Sequence, residues 1–399
     1  MSRTIGSRKS VGAGLLCVMS CAALFHPGAA GQSEPKGAAA SKAASAPPHH
    51  VDPRSLRVDQ LFAKFAHGLS PGAAVLVAFD GVVVHKKGYG FANLSTRHRI
   101  DEGTNFRLCS VTKPFTALAV MILAQQGKLR YDDPLTRFFP QFPTWGKEVT
   151  VRHLLHHLSG MPDHEKLLMD TGLLSKNWPR SARLPRDRFE PTIREMLQVL
   201  ARQPGPNFPP GSKFEYSNAG YAVLAAVIER ASRKSYAEFL KEHIFHPAKM
   251  QYTLVYDERK PQIPKPAVSY AREGAGFTDI DYTPLNLIVG DEGVFSNIDD
   301  MFRWEEALFG GRLVPQRVLD EAFRPAILPG GGQTTYGFGW GLGDLNGHPR
   351  ISHGGARVGF RTDISRFPND RLCVIVLSNF ADINAAEFST KLAEIYLGK

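Results

Sequence analysis

Apolar and polar positions recur along this chain with two different periods, and the two periods occupy different regions. The segment "LRVDQLFAKFAHG" (56–68) spaces its apolar residues at three and four, as the inward stripe of a helix does. It is followed by "AAVLVAFDGVVVHKKGYG" (73–90), two β-rich runs joined by Asp80-Gly81, a dipeptide that favours a tight hairpin turn. The far end of the chain returns to the period of two. There "YGFGWGLGDLNGHPRISHGG" (336–355), "GFRTDISRF" (359–367) and "RLCVIVLSN" (371–379) alternate across turn residues, and "AAEFSTKLAEIYLG" (385–398) closes with helical spacing. Between the two ends the strongest periodic segments are helical, at 114–127, 150–158, 191–202, 218–245 and 299–308.

Strands at both ends with helices between them predict an α+β fold. One antiparallel sheet is assembled from both termini and flanked by helices, with a mainly helical subdomain inserted over roughly 110–310. A cleft between the two parts is the natural place for a site. The expected layout is a leader over 1–31, a tether rich in Ala, Ser and Pro over 32–55, and one folded domain over 56–399.

The leader has a basic start, an apolar stretch from Val11 to about Phe25, and small residues after it, which is the layout of a secretory signal. Two fates are compatible with it: cleavage near Ala30, or lipidation at Cys21 within "VMSC". Export makes the expected location periplasmic or secreted, with membrane anchoring if Cys21 is lipidated. The net charge of +10 includes Arg3, Arg8 and Lys9 of the leader, which has no acids, leaving +7 for the rest. The remaining basic residues are scattered, without a run of the kind that grips nucleic acid. Outside the leader only Cys109 and Cys373 remain, and they read as two unpaired, buried thiols.

Three serines compete as a nucleophile. "GLSPG" (68–72) has the spacing of a nucleophile elbow at Ser70, but the next residue is Pro71, which has no N–H for an oxyanion, and a strand follows instead of a helix. "SEPK" (33–36) lies in the tether. "SVTK" (110–113) precedes an amphipathic helix, where residues three apart share a face and Ser110 can meet Lys113. A lysine desolvated there can take the serine proton. Pro114 is tolerable only in a first turn, so the helix must begin close to Ser110.

Downstream lie "YSN" (216–218) before a long helix and "HGG" (353–355) on a late β-run, followed by Ala356. Ser-x-x-Lys, Tyr-x-Asn and a late basic residue with glycines resemble the serine β-lactamase and penicillin-binding protein superfamily. The likeness is to its class C-like branch of D-alanyl-D-alanine carboxypeptidases, D-aminopeptidases and family VIII esterases. It extends in order through "VTVRHLLHHLSGMPD" (149–163), the segment 215–250, "YGFGWG" (336–341) and 354–379. The resemblance implies Ser110 as nucleophile, with Lys113 and Tyr216 sharing general-base duty and Asn218 holding the substrate amide. It also implies an oxyanion hole from the N–H groups of Ser110 and Ala356, with Gly354 and Gly355 leaving room for substrate along the strand. It implies no cofactor.

Where the family often has Lys-Thr-Gly, this chain has His353-Gly354-Gly355, so His353 is expected as a weaker, pH-dependent anion partner that also helps Tyr216 ionise. This counts against an efficient β-lactamase and for esters or amides lacking the carboxylate. The expected activity is hydrolysis of an ester or amide of a small molecule or peptide through acyl-Ser110. A carboxypeptidase or aminopeptidase on cell-wall peptides is the alternative, and a β-lactamase or a non-catalytic penicillin-binding descendant is less favoured. His153 and His157 stand at i, i+4, but Leu154 occupies the place of a zinc hydrolase's glutamate, so no metal is expected; the resemblance implies structural roles for both. His156 has no counterpart in that pattern. In "GDEGVF" (290–295), Asp291 and Glu292 read as solvated loop acids, or as a bias toward cationic substrates.

Overall fold

The computed structural model describes residues 52–66, 68–175, 190–256 and 263–398. The leader, Cys21, Ala30 and nearly all of the tether lie outside the described residues. Helix α1 (Pro53–Ala66) begins inside the stretch read as tether. Its first turn is polar, held by the Asp52 carboxylate, which accepts from the backbone N–H of Arg54 at 2.9 Å. An apolar stripe cannot reveal such a start.

Six strands form one antiparallel sheet: β1 (Ala73–Phe79), β2 (Val82–Tyr89), β3 (Gly341–Leu345), β4 (His348–Arg357), β5 (Phe360–Phe367) and β6 (Leu372–Ser378). Their spatial order is β3-β4-β5-β6-β1-β2, so the N-terminal hairpin completes a sheet begun by the C-terminal strands, as the pattern implies. β1 explains its own unbroken apolar run. Val75 and Val77 pack toward α1 and the last helix, α5 (Ala385–Leu397), while Ala74, Leu76 and Ala78 join the larger core on the opposite face.

That larger core carries α2 (Lys113–Gln125), α3 (Asn218–Ser232) and α4 (Ile298–Phe309). α2 is buried along nearly its whole length, from Lys113 to Leu123. The helix expected over 218–245 is broken: Arg233 adopts φ 60°, and a new helix, Tyr236–Leu240, starts from a Ser235 cap bonded reciprocally to Glu238. Three very short strands, Phe106–Arg107, Val294–Ser296 and Leu254–Val255, form a separate small sheet in that order. It ties the approach to Ser110 to the loop at 290–293, since the N–H of Leu108 donates to the Val294 carbonyl at 2.9 Å.

The two cysteines among the described residues, Cys109 and Cys373, are both buried and unpaired. No helix among the described residues is long and apolar enough to cross a membrane.

Candidate active site

Ser110 lies in a tight 3-10 turn, Cys109–Thr112, which runs directly into α2 with Pro114 in its first turn. The helix therefore begins where the proline allows. Cys109 reaches this turn at φ 52°, a left-handed conformation that costs a non-glycine residue about 1–3 kcal/mol. The surroundings hold it there. The Thr362 hydroxyl on β5 donates to the Leu108 carbonyl at 2.7 Å, and Gly355 on β4 lies against the same turn. A Cβ at 355 would sit 2.4 Å from the Leu108 carbonyl oxygen and 2.3 Å from Thr362 Oγ1. Gly355 is thus required for the strand to approach the nucleophile turn, a packing reason independent of substrate. Gly354 has no such constraint, its hypothetical Cβ meeting only ordinary contacts.

Lys113 is fully buried, yet its ammonium has a partner for each N–H. Nζ lies 3.1 Å from Ser110 Oγ, 2.8 Å from Asn218 Oδ1 and 3.0 Å from the Asp291 carbonyl. It also sits over the Tyr216 ring, 4.8 Å from the centroid. Among the described residues no hydrogen bond joins the Tyr216 hydroxyl to Ser110 or Lys113, so it is the ring face that meets the ammonium.

His157 organises the Tyr-x-Asn segment. Its carbonyl accepts from the Glu215 N–H at 3.0 Å, and its Nδ1 accepts from the Ser217 N–H at 3.0 Å. Its ring packs 4.3 Å from that of Tyr216 and 4.6 Å from that of Tyr336. Burial, reinforced by the Lys113 charge, holds His157 well below the usual histidine range and therefore neutral. His153 instead closes a cap at Thr150, accepting from the Thr150 N–H at 3.3 Å while its own N–H donates to Thr150 Oγ1. No cluster of metal-binding residues exists among the described residues.

His353 departs from expectation. It is buried on β4, and its Nδ1 lies 2.7 Å from the Gly354 carbonyl, which can only accept. Nδ1 therefore carries the proton, and Nε2 accepts from the Tyr336 hydroxyl at 2.8 Å. Burial first, and the Lys113 charge second, push this histidine down to about 3. At neutral pH it is an uncharged hydrogen-bonding group, so it draws no carboxylate by charge and lends Tyr216 no cation. His156 fixes Tyr336 from the other side, its Nδ1 lying 3.2 Å from the Tyr336 carbonyl, and burial pushes His156 down to about 4.

The acids at 291 and 292 are not solvated; both side chains are buried. Glu292 pairs with Arg357 of β4 at 3.3 Å, and Arg357 also reaches Glu165 at 2.6 Å and Thr283 at 3.0 Å. Burial pushes the Asp291 carboxyl up to about 7, against the pull of Lys113 and with a further push from Glu292. Gly290, at φ 106°, makes the loop possible: a Cβ there would lie 2.6 Å from both Ala225 Cβ and the Tyr221 carbonyl oxygen. The Thr116 hydroxyl donates to the Gly290 carbonyl at 2.6 Å, docking the loop on α2.

A sheet from both termini, a buried Ser-x-x-Lys pair and a Tyr-x-Asn loop closing on it make one arrangement, and the chain matches the Beta-lactamase family model over residues 58–395. The chain belongs to the β-lactamase family. It is a serine hydrolase of that family, in the company of relatives named as penicillin-binding protein and D-aminopeptidase. A penicillin-binding protein of Bacillus subtilis (strain 168) is 34% identical over 319 residues, covering 76% of this chain and 67% of its own length. The D-aminopeptidase of Brucella anthropi is 30% identical over 336 residues, 83% of this chain, and this chain spans only 60% of that relative. The solved structure of an octameric penicillin-binding protein homologue from Pyrococcus abyssi superposes with TM-score 0.73 at 26% identity, covering 86% of this chain and 77% of that one.

In this β-lactamase-family chain, Ser110, Lys113 and Asn218 are joined directly, and the Tyr216 ring stands over Lys113. Among the described residues His353 makes no hydrogen bond to Ser110, Lys113 or Tyr216; it joins the site through Tyr336 and the aromatic cluster, with its ring 6.4 Å from that of Tyr216. Gly355 touches the nucleophile turn, and Gly354 and Ala356 are exposed on the same strand. Sequence reasoning missed two members. Tyr336 was visible only as the first letter of "YGFGWG", and the Asp291 carbonyl is a backbone group that no side-chain pattern announces.

Proposed function

We propose that this protein is an exported serine hydrolase that cleaves an ester or amide bond through an acyl-Ser110 intermediate. The observation that carries the reading is the buried Lys113 ammonium held at once by Ser110 Oγ and Asn218 Oδ1. In the forward step Ser110 Oγ attacks the substrate carbonyl, and its proton passes to the base formed by Lys113 and Tyr216. Because all three Lys113 N–H groups are engaged, base duty requires prior loss of one proton, either from the Lys113 ammonium or from the Tyr216 hydroxyl, whose phenolate oxygen would then turn toward Ser110. Catalytic hydrogen bonds commonly tighten only when substrate arrives. The N–H groups of Ser110 and Ala356 would hold the oxyanion, and the leaving group departs with a proton returned by the base. Water then repeats the sequence on the acyl-enzyme.

Neutral His353 favours substrates without a carboxylate at that position, such as esters and D-amino-acyl amides, over carboxypeptidase substrates and β-lactams. The kinship with a D-aminopeptidase supports the amide side of this choice. Residues 1–31, read as a secretory leader, supply the export. Incubation with a fluorophosphonate probe, followed by peptide mapping, should place the label on Ser110. Short nitrophenyl esters and D-alanyl amides should turn over, and a D-Ala-D-Ala stem peptide should do so poorly. Labelling unchanged in Ser110→Ala would sink the acyl-Ser110 reading, and rapid release of D-Ala from the stem peptide would replace it with the carboxypeptidase.

A further inference from the structure

Of the two acids in the loop beside Ser110, one has an obvious role and the other does not. Glu292 neutralises Arg357 at 3.3 Å. Asp291 is just as buried but meets no ion-pair partner among the described residues, and its Oδ1 has no hydrogen-bond partner there. A buried carboxyl left in this state is costly to the fold. Its location is specific, because its own backbone carbonyl is one of the three acceptors that fix Lys113 Nζ. The loop is locked in place by Gly290, by Thr116 and by the Val294 N–H, which donates to Thr112 Oγ1 at 3.2 Å. The backbone that carries the carboxyl therefore cannot move away from α2 without breaking several contacts.

We infer that Asp291 is a positioning residue for the Ser110–Lys113 pair, its carboxyl governing how readily the pair sheds positive charge. The titratable and charged groups facing it are Lys113 on α2, Glu292 on its own loop, Arg357 on β4 and Tyr236 on the helix Tyr236–Leu240. His164, on the helix His164–Asp170, faces Glu292 and Arg357 from the side. Arg357 is shared between Glu292 and Glu165, so the cation left to face Asp291 is Lys113 itself. As a carboxylate it holds positive charge on its neighbours and opposes proton transfer away from them; as a neutral acid it does not. Its raised titration, near neutrality, makes the change accessible under ordinary conditions. The inference deepens the acyl-Ser110 reading and rests on it.

The test is the pH dependence of the rate at which a fluorophosphonate labels Ser110, a reaction in which Oγ forms the P–O bond and fluoride leaves. Wild-type labelling at Ser110 tests the underlying reading by itself. In Asp291→Asn the negative charge is gone, so over the pH range where the wild-type carboxyl is ionised, above about 7, the acidic limb of the profile should move down by about one pH unit, a roughly tenfold faster rate along that limb. A purely structural role would lower the rate at every pH and leave the limb in place. An unmoved limb, or one displaced upward, overturns the inference while leaving acyl-Ser110 intact. Asp291→Ser serves as the second variant, and far-UV circular dichroism checks both. If neither folds, the carboxyl is a structural group and the inference falls.

Discussion

Lys113 has three N–H bonds to give, and Ser110, Asn218 and the Asp291 carbonyl take all of them. Burying an ammonium is tolerable only on such terms. Lys113→Met should therefore lower kcat/KM for an activated ester by about 10²–10⁴, the range associated with losing a general base. An activity within twofold of the parent would contradict the role. Gly355 gives a second forecast at this scale. Its replacement by Ala drives a methyl group into the Leu108 carbonyl, so the nucleophile turn must shift. We expect a stability loss of about 1–3 kcal/mol by urea unfolding, with Ser110 labelling slowed. The same substitution at Gly354 meets only ordinary contacts and should be near neutral in stability.

At the scale of elements, Arg357 binds β4, the 290–293 loop and the helix His164–Asp170 through Glu292 and Glu165. Arg357→Met leaves two largely buried carboxylates unpaired, which should cost on the order of 3 kcal/mol. Adding Glu292→Gln should restore part of that loss in a double-mutant cycle, and strict additivity would show that the pair is not coupled. The longer elements were legible in the sequence because their period runs over many residues. β1 and β6 carry seven apolar-rich positions each, and α2 is a continuous apolar run. The small sheet was not, because Phe106–Arg107 and Leu254–Val255 offer two residues apiece, too few for any period to register. The burial of Asp291 and Glu292 follows from that sheet, so acids that read as solvated are packed beside the nucleophile. The single helix expected over 218–245 failed for a different reason: the Ser235–Glu238 cap signal was present but outweighed by the apolar spacing around it. The Ser110–Lys113–Asn218 core of the site was legible through motif order. The charge state of His353 was not, since it depends on burial and on Tyr336.

For the whole molecule, buried histidines and buried carboxyls set opposing pH dependences. His353, His156 and His157 are all held below their ordinary value near 6.5, chiefly by burial. Their contribution is complete above about pH 6.5, where the unfolded chain is neutral too, and is lost as pH falls toward 4 and then 3. Asp281 and Asp291, both raised to about 7 by burial, act the other way, losing their contribution as pH climbs from about 4 to 7. The histidines are more numerous, so the urea midpoint should be lower at about pH 5 than at about pH 6.5. A midpoint unchanged or higher at about pH 5 would show that these rings are not the buried neutral groups described. The sheet itself has a consequence in time. Ser378 donates its hydroxyl to the Gly72 carbonyl 306 positions earlier in the chain, and β1 finds its inner neighbour only in β6. Closing so long a loop is slow, and the hairpin β1–β2 lacks its sheet neighbour until the last strand has been made. During synthesis, then, Ser110, Lys113 and Asn218 all exist as residues long before they can exist as a catalyst. A ribosome that stops short of residue 372 releases every nucleophile motif and no enzyme.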